Sequence, residues 1–326
     1  MKFYTEPIQK SPRIGKLVDA LFEKMPQIEA DRAVLLTQSY KQTEGEPIIT
    51  RRAKAFKHIL ENIPITIRDN ELIVGAATRQ PRSCQVFPEY SFEWLEAEFD
   101  TVDTRVADPF YISEETKKAL SEAYAYWKGK TTSELATAYM SDEAKIAIEH
   151  GMFTPGNYFY NGIGHVTVDY PKVLKIGYEG IIKQTKDELS RIKCGDADYA
   201  KRKHFLDAVV MSCEAAIAYA ERYSELAAKM ARTTSDIDRR RELENISAIC
   251  RSVPRHGAQS FYEACQSFWF VQMLLQTESS GHSISPGRFD QYMYPYYKKD
   301  LDAGIITREQ AQELMDCVWV KLNDLN

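Results

Sequence analysis

The chain has no CxxC pair, no His-Glu-x-x-His run and no glycine-rich phosphate loop, and its six histidines allow no Ser-His-Asp set. These gaps leave zinc ribbons, HExxH proteases and nucleotide-binding loops without a sequence basis. The six cysteines (Cys84, Cys194, Cys213, Cys250, Cys265, Cys317) lie far apart, with no histidine at metal-ligand spacing. That spacing argues against a disulfide framework and leads us to expect a reduced, cytoplasmic protein with mostly buried thiols. The most apolar stretch, Phe261 to Leu275, contains Glu263, Gln266 and Gln272 and falls short of the ~18 apolar residues of a membrane span. Met1 to Lys16 has no apolar core, so no signal peptide is visible. The net charge of -5 is spread along the chain, which gives no nucleic-acid surface. Two short basic runs, Lys201–Lys203 and Arg239–Arg241, read as solvated helix faces. No internal repeat and no flexible linker is found.

What remains is a dominantly helical pattern. Apolar residues recur at helical spacing over Ile14–Met25, and further helices are expected at Ala30–Gln42 and Arg51–Asn62, the last closed by Pro64. Ile65–Ile67 and Leu72–Gly75 read as short extended segments, and Thr78–Glu89 as a loop. Helices follow at Ser91–Phe99, Ser113–Trp127 and Ser141–Glu149, with Ser113 as a capping residue paired to a following glutamate. Longer helices are expected at Lys172–Arg191, Asp198–Thr233, Ile237–Arg251 and Ser260–Glu278. The last of these is apolar nearly all round and should be buried on every side. From Thr307, a helix with two apolar faces runs to Asn326. Leu314, Val318, Trp319 and Leu322 on it have no later element to cover them. An exposed apolar patch is therefore expected, from a truncation or a split gene.

Two irregular stretches break the helices, each with one histidine: Gly151–Tyr170 around His165, and Ser279–Pro286 around His282. Loops on a rigid scaffold are where binding residues sit. Gly162 and Gly164 permit close backbone approach beside His165. The small polar residues at Ser279–Ser285 suggest a pocket wall. Arg288 and Asp290 read as an ion pair or cap for the next helix, the tyrosines at 292, 294, 296 and 297 as core and interface. Burial would raise the pKa of Glu278 at the end of its apolar helix. The residues alone yield a helical protein with a small polar-ligand pocket, and no reaction.

Several blocks carry a resemblance. Lys41-Gln-Thr-Glu-Gly-Glu-Pro47 with Arg51-Arg-Ala53 is similar to the amino-terminal domain of pyruvate formate-lyase-like glycyl radical enzymes. So are His58-Ile-Leu-Glu-Asn-Ile-Pro-Ile-Thr-Ile-Arg-Asp69, Glu71-Leu-Ile-Val-Gly75, Gln85-Val-Phe-Pro-Glu89, both irregular loops and Arg288-Phe-Asp-Gln-Tyr-Met-Tyr-Pro-Tyr296. The match runs from about Arg13 to Asn326, and within the family it most resembles the cobalamin-independent glycerol and 1,2-propanediol dehydratases. The resemblance implies a mainly α chain: the amino-terminal helical part, residues 1–326, of a pyruvate formate-lyase-type domain built on a ten-stranded α/β barrel, without the carboxyl-terminal glycine radical domain. The family's radical sits on a glycine, is installed by a radical S-adenosylmethionine activating enzyme, and passes to a cysteine. Neither the Gly-Cys-Val-Glu-like loop that carries that cysteine nor the Arg-Val-Ala-Gly-Tyr-like loop that carries that glycine occurs here, so none of the six cysteines is assigned a catalytic role.

The resemblance also implies a lyase that eliminates water from glycerol or 1,2-propanediol in anaerobic metabolism. His165, His282 and Ser283 match substrate-binding positions, the two histidines doubling as acid/base groups for the departing hydroxyl. Ser280 departs from the glycerol enzyme's pattern, which leaves glycerol against propanediol open. The implied partners are a small diol, the missing carboxyl-terminal half, the activating enzyme and a second copy in a homodimer. No cofactor bound by this chain is implied, and the chain alone should be inactive. The alternatives are a family member with formate acetyltransferase chemistry, or a non-catalytic truncated helical protein.

Overall fold

The computed structural model describes residues 11–153, 160–162, 164–281 and 283–325. It is a helical assembly with two small parallel two-stranded ladders, the first pairing β1 (Ile28–Glu29) with β2 (Cys84–Gln85). At the amino-terminal end stand α1 (Pro12–Phe22), α2 (Asp31–Gln42) and α3 (Ile48–Asn62). Pro12 starts α1, where its missing N–H costs nothing. A turn-rich stretch then carries α4 (Glu93–Ala97), α5 (Glu114–Trp127), α6 (Thr132–Ala138) and α7 (Asp142–Glu149). Ser113 does cap α5, but its amide partner is Thr116 rather than a glutamate, so no reciprocal box forms there. The box forms instead at Thr131 and Glu134, on α6, a helix too short for periodicity to reveal.

The long helices follow: α8 (Tyr170–Leu189), α9 (Tyr199–Thr233), α10 (Ile237–Ser252) and α11 (Phe261–Ser279), then α12 (Phe289–Asp302) and α13 (Arg308–Leu322). α9 packs along α3, α8 and α10. α8 breaks at Gly177, at φ +62°, where a Cβ would stand 2.2 Å from the Arg255 carbonyl oxygen. Only glycine lets the two backbones meet there.

α11 is the axis of the core. Phe268, Trp269 and Phe270 are fully buried, as its all-round apolar sequence requires. Its polar residues serve the neighbouring chain. Leu72–Ala76 forms no strand; helix side chains satisfy its backbone instead. Gln266 accepts from the Val74 amide at 2.9 Å and donates to the Val74 carbonyl at 2.7 Å. Trp269 donates to the Gly75 carbonyl and Tyr262 to that of Leu72, while Tyr219 and Tyr223 bracket the peptide groups of Ala76. Each orphaned backbone group would otherwise cost about 1–3 kcal/mol.

Two expectations are corrected. Leu314 and Val318 are buried against the core, Leu322 is half-buried, and only Trp319 of the four stands exposed, at 53%. α13 reaches back to α1 and α11, which cover the face assumed to be bare. Arg239 is not solvated either: it donates to the Glu71 and Arg68 carbonyls and pairs with Glu242 at 2.8 Å. The basic run on α9 is exposed as read.

Candidate functional site

β3 (Val166–Thr167) and β4 (Ile284–Ser285) pair in parallel, Val166 beside Ile284 and Thr167 beside Ser285. The loops found separately in sequence therefore meet, and His165 and Ser283 occupy the equivalent position, one residue before each strand. Both are exposed and both adopt left-handed backbone, at φ +57° and +58°. Ser280, the residue after α11, is left-handed too, at φ +56°. Three of the six non-glycine residues with positive φ among the described residues thus lie in these loops. Such conformations cost ~1–2 kcal/mol each for an L-residue and concentrate where function demands them. His282 lies outside the described residues.

The two loops are also tied by contacts outside the ladder. The Gly162 amide donates to the Ser280 hydroxyl at 2.9 Å. A Cβ on Gly162 would fall 2.1 Å from the Ser279 carbonyl oxygen, so the position admits glycine alone. Gln272 on α11 donates to the Ile284 carbonyl at 3.1 Å and accepts from the Tyr170 hydroxyl, which fixes β4 and the start of α8 to the buried helix. A cavity of about 460 Å³ has Asn161 from one loop and Ser280 from the other in its wall, beside Phe87, Trp94 and Leu95, and is lined by neither His165 nor Ser283.

Beneath the loops the carboxyl end of α11 is held by an ionic cluster that the sequence did not announce. Arg32, fully buried, donates to the Thr277 carbonyl at 2.7 Å and to that of Glu278 at 3.4 Å. It pairs with Glu89 at 2.7 Å and lies over the Phe87 ring at 3.7 Å. Arg52 donates to the Glu278 carboxylate and main-chain carbonyl, to Glu89 at 3.0 Å and to the Tyr90 hydroxyl at 3.3 Å. Two guanidinium groups on the last carbonyls of a helix complement its dipole, as the Asp300 carboxylate does at the other end, accepting from the Phe261 amide at 2.7 Å. Burial would raise the Glu89 carboxyl, but Arg32 and Arg52 overcome it and hold it below the usual carboxylate range. For Glu278 burial prevails, and its pKa is raised as anticipated, against the opposing pull of Arg52. One signal was available: Arg32 directly precedes the apolar run Ala33–Leu36 in its helix.

Arg288 and Asp290 form neither an ion pair nor a side-chain cap; Asp290 accepts from Gln291 instead. Tyr292 stacks on Tyr170 and Tyr296 donates to the Leu174 carbonyl, both half-buried against the core, whereas Tyr294 is exposed. Four cysteines are buried, Cys84 is half-buried and Cys194 exposed. Burial pushes the thiols of Cys213 and Cys317 up to about 12 and that of Cys84 to about 11, so all three stay protonated near neutral pH.

A pyruvate formate lyase-like family model matches residues 5–326, and the chain belongs to that family. Its fold is that of a solved structure reported for 1,2-propanediol dehydration in Roseburia inulinivorans: 61% identity, TM-score 0.97, covering 100% of this chain and 39% of that one. The glycerol-bound form of the B12-independent glycerol dehydratase from Clostridium butyricum is similar at 53% identity and TM-score 0.95, over 99% and 41% of the two chains. The isethionate sulfite-lyase of Oleidesulfovibrio alaskensis is 36% identical over 318 residues, which is 94% of this chain and 38% of that protein. The chain thus spans about 40% of the length of the relatives it matches. Those relatives are glycyl radical dehydratases and lyases.

Proposed function

We propose that this chain forms the substrate side of a glycyl radical diol dehydratase, which eliminates water from glycerol or 1,2-propanediol to give an aldehyde. The observation that supports the proposal is the register of β3 and β4, with His165 and Ser283 at equivalent positions one residue before each strand, both in left-handed backbone. Both residues are exposed, so both can reach a ligand lying over the loops. Dehydration of a 1,2-diol needs both oxygens held in fixed positions and a proton for the departing hydroxyl. The His165 imidazole is suited to donate to that hydroxyl, with His282 as a second such group, and the Ser283 hydroxyl can fix the other oxygen. The family's radical chemistry has no seat among these residues: none of the six cysteines stands in a Gly-Cys-Val-Glu-like run. Hydrogen abstraction therefore falls to the rest of the enzyme, a carboxyl-terminal half charged by an activating enzyme.

The test uses the completed enzyme, activated without oxygen, with glycerol and each propanediol enantiomer as substrates and aldehyde release as the readout. His165→Ala should lower the rate per radical by about 100- to 10,000-fold. Ser283→Ala should cost roughly two- to tenfold, the worth of one neutral hydrogen bond. The 326-residue chain alone should show no turnover. Near-normal rates in the His165 variant, or no diol turned over by the wild type, would sink the assignment.

A further inference from the structure

Arg52 reaches the base of one loop directly and the side of the other through Tyr90. On one side it donates to the Glu278 main-chain carbonyl and carboxylate, at the point where α11 gives way to Ser280 and Ser283. On the other it donates to the Tyr90 hydroxyl, which stands 3.0 Å from where a Cβ on Gly162 would lie, against the loop that leads to His165. Its third arm reaches Glu89, itself locked by the buried Arg32. From this we infer that Arg52 is a positioning residue, setting the separation of the His165 and Ser283 loops while touching no substrate. A guanidinium suits the task because its nitrogens diverge in one rigid plane, here toward Glu278, Glu89 and Tyr90. A lysine ammonium is a single point and cannot span the three. The cluster is balanced, Arg32 and Arg52 against Glu89 and Glu278, so the geometry of the fork rather than its charge alone carries the effect.

For its activity the inference rests on the diol reading, but the loops can be observed without turnover. In the 326-residue chain, hydrogen exchange of Arg52→Lys and Arg52→Gln would be compared with wild type. Peptides covering both loops should exchange roughly tenfold faster in either variant, the equivalent of one lost charge-assisted hydrogen bond. Those from α9 and α10 should be unchanged. In the completed enzyme the Lys variant should raise KM for the diol about tenfold or more, with a smaller change in kcat and an unaltered radical content. Unchanged loop exchange in the Lys variant would overturn the inference, as would loops unprotected in the wild type. So would loss of folding in both variants, since Arg52 would then be part of the scaffold. If the wild-type enzyme turns over no diol, the functional proposal fails while the exchange arm still judges Arg52.

Discussion

The cluster of Arg32, Arg52, Glu89 and Glu278 and that of Lys321, Arg68, Glu71 and Asp324 each set two cations against two carboxylates, yet they hold different things. The first ends on main-chain carbonyls where α11 opens into the paired loops. The second lies between the last helix and the Arg68–Leu72 turn. There Lys321, 4% exposed, meets Glu71 at 2.7 Å and Asp324 at 3.4 Å, and Arg68 also binds Asp324. Equal charge counts therefore serve unequal ends. One cluster shapes backbone that a ligand would meet; the other fastens one part of the chain to another. Buried ion pairs add little net stability over an apolar replacement, but removing one partner leaves a stranded charge. What each cluster does should therefore show in where the damage appears when it is broken.

The largest effect should come from the second cluster. Lys321→Met leaves Glu71 and Asp324 without their shared ammonium and should cost about 3–5 kcal/mol of global stability. Urea unfolding of the 326-residue chain measures it, and a loss confined to local exchange near α13 would contradict the fastening role. Arg52 substitutions should do the reverse, changing the loops more than the midpoint.

A smaller effect separates the clusters by pH. The folded pKa of Glu278 is raised, chiefly by burial. Its contribution is fully present below the ordinary glutamate value of ~4.3 and is lost as pH rises through the folded value. In Asp324, burial is outweighed by Lys321 and Arg68, so its folded pKa is lowered. Its contribution is present above the ordinary aspartate value of ~3.9 and is lost as pH falls through the folded one. Glu278→Gln should therefore gain on wild type as pH rises above ~4.3, and wild type should lose its lead over Asp324→Asn as pH falls below ~3.9. Denaturant midpoints across pH test both slopes, and slopes of the same sign would remove the distinction.

How much of this could be read beforehand follows from sequence separation. The helices α8 to α11 were legible because their periodicity is local and long. The buried character of α11 was legible because no polar stripe interrupts it. The two loops were legible as departures from that pattern, and His165 and Ser283 as residues within them. Their adjacency was not legible, since the Gly162–Ser280 bond joins residues 118 positions apart. Nor was the Arg32 anchor, whose acceptor at Thr277 is 245 positions away. Leu72–Gly75 looked extended because it is an apolar run that holds the β-branched Ile73 and Val74. Its hydrogen bonds and those of Ala76, however, go to Gln266, Trp269 and Tyr223, which only the folded chain brings near. The bare face expected on α13 failed for the same reason: its covering residues come from α1 and α11.

The smallest expected effect lies two residues from the largest. Trp319 and Lys321 share α13, but about 200° of helical rotation separates them at 3.6 residues per turn. Lys321 consequently points into the core while Trp319 stands 53% exposed, its ring centroid 6.4 Å from that of Phe289 in a tilted contact. A large exposed apolar side chain is ordinary on a protein surface when it stands alone, and here Leu314 and Val318 on the same helix are covered. Trp319→Gln should therefore change stability by no more than about 0.5 kcal/mol in either direction, with no change in loop exchange. Sedimentation of the wild type and the variant at matched concentrations tests the remaining possibility. If Trp319→Gln alone abolishes a self-association seen in the wild type, Trp319 belongs to a contact between chains, and the contrast between the two faces of α13 is one of partners rather than of burial.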